Sequence, residues 1–103
     1  MYHIYDTYMH KIKTIQRRIK AIKKELMSLD EMRPGSLTVQ TRSWGGEYHQ
    51  LSFSHNGKGR TQYVKEENVE TVKRQIANYK RFRELTKEWV DLALQAAILR
   101  EKK

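Results

Sequence analysis

RPGSLTVQTRSWGGEYHQLSFSHNGKGRTQYVKE, residues 33–66, alternates apolar and polar side chains between turn signals. Leu37, Val39 and Thr41 interleave with Thr38, Gln40 and Arg42, and Trp44-Gly45-Gly46 turns the chain. Tyr48 to His55 makes a second run with Leu51 and Phe53 on one face, Asn56-Gly57 marks a hairpin, and Arg60 to Val64 makes a third. The pattern predicts three antiparallel strands over residues 37–64. A two-residue Asn-Gly loop pairs Phe53 with Arg60, whereas an odd-numbered loop sets Leu51 and Phe53 beside Tyr63 and Thr61. The odd loop, with Gly57 or Gly59 at a bulge, is the expectation. It displays Ser52, Ser54, Arg60 and Gln62 on the opposite face, next to Arg42.

Heptads flank this stretch. Tyr5, Tyr8, Ile12, Ile15, Ile19, Ile22, Leu26 and Leu29 recur at alternating three- and four-residue steps, which predicts one narrow apolar seam along a helix over residues 4–32. Pro34 and Gly35 stop it. Glu66, Glu67 and Glu70 suit the positive end of a second helix over residues 66–100. Its seam runs through Val69, Val72, Ile76, Tyr79, Phe82, Leu85, Trp89, Leu92, Ala96 and Leu99, with a shortened step at Phe82 that should rotate the stripe. The expected fold class is α+β in the order α-β-β-β-α, with two long antiparallel coiled-coil helices joined by a three-stranded antiparallel β-sheet in a single domain, residues 1–103. Aligning Leu29 with Val69 sets Ile22 against Ile76 and Ile19 against Tyr79. In that register Glu84, Glu88 and Asp91 lie too far along to neutralise the middle of the stalk.

The middle is where the charge concentrates. The 103 residues hold 21 Lys and Arg against 12 Asp and Glu, a formal charge of +9. Residues 11–24 carry Lys11, Lys13, Arg17, Arg18, Lys20, Lys23 and Lys24 without an acid, and residues 71–83 carry Lys73, Arg74, Lys80, Arg81 and Arg83 likewise. Brought to one level these cations repel each other until a polyanion neutralises them. The expected partner is DNA or RNA. Its backbone meets Arg17, Arg18, Lys20, Lys23, Lys24, Lys73, Arg74, Lys80, Arg81 and Arg83, with Arg42, Lys58 and Arg60 adding contacts from the sheet. A solvated coiled-coil face explains such charge more blandly. The rival function is a protein-interaction accessory or inhibitor of a larger nucleoprotein enzyme or machine.

Other chemistry finds little support. No cysteine is present, so disulfides and thiolate metal sites are excluded, and a cytoplasmic protein is expected. His3 and His10 are seven apart and His49 and His55 six apart, neither at the helical spacing of a metal pair, so neither metal nor cofactor is expected. No triad, paired apolar-set carboxylates or phosphate-cradling glycine loop appears, and no enzyme is expected. No apolar run approaches a membrane span. Trp44, Tyr48 and Tyr63 are placed to pack against neighbours in the sheet, with stacking on bases as the alternative. From Trp89 to Leu99 the apolar residues surround the helix. Self-association is therefore expected, making a homo-oligomer through Ile4, Tyr5, Tyr8, Met9, Trp89, Val90, Leu94, Ala97 and Ile98.

Arg33-Pro34-Gly35-Ser36-Leu37-Thr38, Tyr48-His49-Gln50-Leu51-Ser52-Phe53, Gly57-Lys58, Tyr63-Val64 and the stretch Lys73 to Thr86 resemble a small uncharacterised prokaryotic domain family. The resemblance spans roughly residues 33–92, with Asn78-Tyr79-Lys80-Arg81-Phe82-Arg83-Glu84-Leu85 its most specific part. Members often occur in mobile-element or transposase surroundings, which implies nucleic acid without implying a reaction. Many carry a cysteine cluster between the first two strands. Ser43-Trp44-Gly45-Gly46-Glu47 stands there in this chain, so the resemblance implies no metal site.

Overall fold

The structure is a computed structural model describing residues 4–102, with side chains described from Thr7 onward. Helix α1 (Ile4–Ser28) is followed by β1 (Ser36–Thr41), β2 (Glu47–His55) and β3 (Lys58–Val64), a 3-10 turn (Glu66–Asn68) and helix α2 (Val69–Glu101). The fold is α+β in the order α-β-β-β-α, with an antiparallel sheet ordered β1-β2-β3. The chain divides into two compact units, one of Asp30–Arg81 and one joining the residues through Leu29 to those from Phe82 onward. The division falls at the shortened heptad step, where Phe82 is exposed and Leu85 fully buried.

Helix α1 ends four residues earlier than its heptads predict. Its last turn holds no basic residue, and Asp30 and Glu31 follow, where the negative end of a helix dipole disfavours carboxylates. The Ser28 hydroxyl donates back to the Glu25 carbonyl and the Leu29 amide to Leu26, tightening the final turn. Asp30 and Glu31 are used instead in the sheet unit, where the connector lies along α2. Asn78 Nδ2 donates to Asp30 Oδ1 at 2.6 Å and to the Glu31 carbonyl at 2.9 Å. Gln75 donates to the Glu31 carboxylate at 2.9 Å, and the Arg33 amide donates to the Gln75 carbonyl.

The second hairpin has a two-residue loop, not the expected odd one. Asn56 (φ 52°) and Gly57 (φ 77°) both take left-handed geometry, the turn whose twist matches that of the flanking strands, and no bulge forms at Gly57 or Gly59. Phe53 therefore faces Arg60, and Leu51 faces Gln62. Because successive side chains alternate, Leu37, His49, Leu51, Phe53, Arg60, Gln62 and Val64 share one face. That face meets the start of α2. Leu51, Val64, Val69 and Val72 form the buried core, with Leu37, Phe53 and Ile76 packed against it.

Gly35 closes the connector onto this core at φ 136°, and a Cβ there lies 2.7 Å from Leu51 Cδ1 and 2.9 Å from the Ser52 carbonyl oxygen. Only glycine fits without displacement.

Candidate nucleic-acid interface

Helical geometry sorts the cations of α1 into two sets. Ile12, Ile15 and Ile22 are buried, with Ile19 and Leu26 half-buried, and this seam defines the inner face. At 100° per residue Arg18 and Lys23 flank the seam, one on each side. Arg18 meets Glu88 with two hydrogen bonds, 2.6 Å from Nε and 2.8 Å from its terminal nitrogen, and Lys23 Nζ lies 5.2 Å from the Trp89 ring. The expectation that Glu88 falls short of these cations is corrected: Arg18 meets it about two turns further along α2 than the assumed register places its partner. In the sheet unit the connector lies along α2 at Gln75 and Asn78, and the helical unit takes α2 only from Phe82 onward.

Lys13, Arg17, Lys20 and Lys24 make the second set. Their spacing of four, three and four puts them on one stripe nearly opposite the seam, about 16 Å long, and all four are exposed. Among the described residues no carboxylate reaches salt-bridge distance of any of them. Lys13 belongs to this stripe by its spacing from Arg17. Counting charge along the sequence does not reveal that; the helical angle does.

The remaining expected contacts are distributed. Arg83 lies on the outer face of α2 in the helical unit, in line with Lys87. Lys73, Arg74, Lys80 and Arg81 belong to the sheet unit, where Lys73 Nζ sits 3.6 Å from Glu70, Arg74 and Lys80 are exposed, and Arg81 is half-buried.

The sheet does not assemble Arg42, Lys58 and Arg60 on one face. The two-residue hairpin puts Lys58 and Arg60 on the face that carries Phe53, and Arg42 follows β1 on the other side. Gln62 likewise leaves the polar face. That open face carries Ser36, Thr38, Gln40, Tyr48, Gln50, Ser52, Ser54, Thr61 and Tyr63, and no acid. Arg42 donates from Nη1 to the Glu47 carbonyl at 3.1 Å, and its guanidinium carbon lies 4.8 Å from the Tyr48 ring and 6.0 Å from Trp44. Tyr48 and Tyr63 are neighbours on adjacent strands, their centroids 6.1 Å apart at 40°.

The residues expected to mediate self-association separate as well. Trp89 is half-buried on the seam of α2 beside Leu85 and Ala96, not on its outer face, and Ala97, Tyr8 and Met9 are half-buried. Val90, Leu94 and Ile98 stay exposed at four-residue intervals on the outer face. The side chains of Ile4 and Tyr5 lie outside the described residues.

Residues 12–74 match the family model described as a domain of unknown function (DUF6788). The chain belongs to this family. For this DUF6788 protein the match begins within α1, well before the stretch from Arg33 that carries the resemblance in the sequence, and stops short of Asn78 to Leu85. The cationic stripe and the open sheet face both fall inside the matched residues. No curated protein and no solved structure matches the chain. Among the described residues no helix is long and apolar enough to cross a membrane.

Proposed function

We propose that this DUF6788 chain is a non-catalytic nucleic-acid-binding module that contacts backbone phosphates of DNA or RNA through α1. The observation that carries the reading is the stripe of Lys13, Arg17, Lys20 and Lys24, exposed, opposite the packed seam and, among the described residues, with no carboxylate at salt-bridge distance. Like charges three and four residues apart each cost a helix about 0.2–0.5 kcal/mol, so the stripe destabilises α1 until an anion lies along it. Surrounding positive charge, +9 for the chain, draws a polyanion toward it. Phosphate neutralisation then adds the favourable release of counterions.

The test is a salt titration of binding to short DNA and RNA. Each phosphate contact removed lowers the slope of log affinity against log salt by about 0.7 to 0.9, so Arg17→Ala with Lys20→Ala lowers it by about twice that. A folded Arg17→Glu, Lys20→Glu variant that binds DNA and RNA as well as the parent would transfer the assignment to the rival, docking of the stripe onto an acidic protein surface of a nucleoprotein machine.

A second copy is the other partner we propose. Val90, Leu94 and Ile98 form an apolar stripe, 66%, 60% and 44% exposed, on the face of α2 opposite its buried seam. Apolar stripes of this kind are uncommon on monomers that stay apart in water.

A further inference from the structure

We infer that the open face of the sheet is a stacking platform for unpaired bases, so that the module selects single-stranded over duplex nucleic acid. This rests on the nucleic-acid reading above and assigns its substrate class. Trp44 is 81% exposed and Tyr63 56% exposed. A structural role accounts for Tyr48 and Tyr63, which touch across adjacent strands, but hardly for Trp44, whose ring gains little burial from the turn that carries it. Arg42 supplies what a base-binding surface needs beside its rings. Its bond to the Glu47 carbonyl holds the guanidinium near both the Tyr48 and Trp44 rings, leaving further N–H donors for a phosphate or base edge.

The chemistry of the face fits one occupant. It bears the rings of Tyr48 and Tyr63 and the amides of Gln40 and Gln50, and no carboxylate that would repel a phosphate backbone, while Arg42 and the Trp44 ring near it stand at the turn beside Tyr48. The ring faces of bases are accessible only where strands are unpaired, and antiparallel sheets with exposed aromatics hold single strands in this way. A duplex presents phosphates and groove edges, which the α1 stripe can meet but the platform cannot stack upon.

The experiment compares one labelled oligonucleotide of about 16 nucleotides, as single-stranded DNA, as single-stranded RNA and as duplex, by fluorescence anisotropy. Trp44→Ala and Tyr63→Ala are each expected to weaken single-strand binding roughly five- to a hundredfold while duplex binding and the salt slope stay as in the parent. Trp44→Phe, which keeps a ring, retains most of the single-strand affinity, and circular dichroism confirms that each variant is folded. If Trp44→Ala and Tyr63→Ala leave single-strand binding intact while stripe variants reduce it, the platform is wrong and phosphate binding stands. If the two variants weaken single strand and duplex alike, the platform is equally wrong. A parent that binds none of the three probes overturns both.

Discussion

Arg18 grips Glu88 in a bidentate pair, Nε to Oε2 at 2.6 Å and the terminal nitrogen to Oε1 at 2.8 Å, and so leaves the set of cations that face solvent alone. Both side chains are about two-fifths exposed, so solvent screening holds the pair to about 0.2–1 kcal/mol. Arg18→Ala should cost no more than that in urea denaturation. It should also lower the salt slope of nucleic-acid binding less than Arg17→Ala does, although the two arginines are adjacent in sequence. Equal slope changes would mean that the pair opens when the partner binds.

Gly35→Ala should be far more damaging than any change on the surface. Its left-handed φ of 136° strains an alanine, and the new methyl meets Leu51 Cδ1 at 2.7 Å and the Ser52 carbonyl oxygen at 2.9 Å, neither of which is free to move. Strain and overpacking each cost about 1–3 kcal/mol, so a loss of at least about 2 kcal/mol is expected from the urea midpoint. An alanine variant within about 0.5 kcal/mol of the parent would show that the connector relaxes.

The elements were legible because their periodicities are clean. Alternation in Leu37–Thr41 and Tyr48–His55 and heptads from Ile12 to Leu26 each admit one reading. What sequence did not reveal is how the elements meet. Asn56-Gly57 is compatible with either loop, and the bulged one sets Arg60 and Gln62 on the face opposite to the one they occupy, because a one-residue slip exchanges every side chain across a sheet. The helix register is hidden for a different reason. Pro34 announces a stop, but nothing local says that Asp30 and Glu31 leave the helix to accept hydrogen bonds from Asn78 and Gln75, contacts more than forty residues away in sequence. The cationic stripe is half legible: counting charge picks out Arg17, Lys20 and Lys24, while separating them from Arg18 and Lys23 requires knowing which face the seam buries.

Asn78 should prove structural although it lies among basic residues. Its amide spans the Asp30 carboxylate and the Glu31 carbonyl, fixing the connector that leads to Gly35. Asn78→Ala removes both bonds, at about 0.5–1.5 kcal/mol for the neutral one and about 1.5–3 for the one to a carboxylate, tempered by the exposure of Asp30. A loss of about 1–2 kcal/mol in urea denaturation is expected, with the salt slope of nucleic-acid binding unchanged.

The outer stripe of α2 should make the chain dimerise weakly. Val90, Leu94 and Ile98 extend a face that begins with Arg83 and Lys87, so apolar contact between two copies is confined to its C-terminal part. Covering such a side chain completely is worth about 1.5–3 kcal/mol, and six of them, already partly shielded, contribute on the order of 10 kcal/mol. Association costs about 4–15 kcal/mol in lost freedom of motion, so the two terms nearly cancel. The balance predicts a concentration-dependent equilibrium rather than an obligate dimer. Light scattering should show the mass rising above the 12.4 kDa monomer as concentration increases through the high micromolar range. Val90→Glu with Leu94→Glu should hold the mass at the monomer without loss of helical circular dichroism, since neither side chain is part of the buried seam. A parent that stays at monomer mass throughout that range would remove the second copy from the partners of this face.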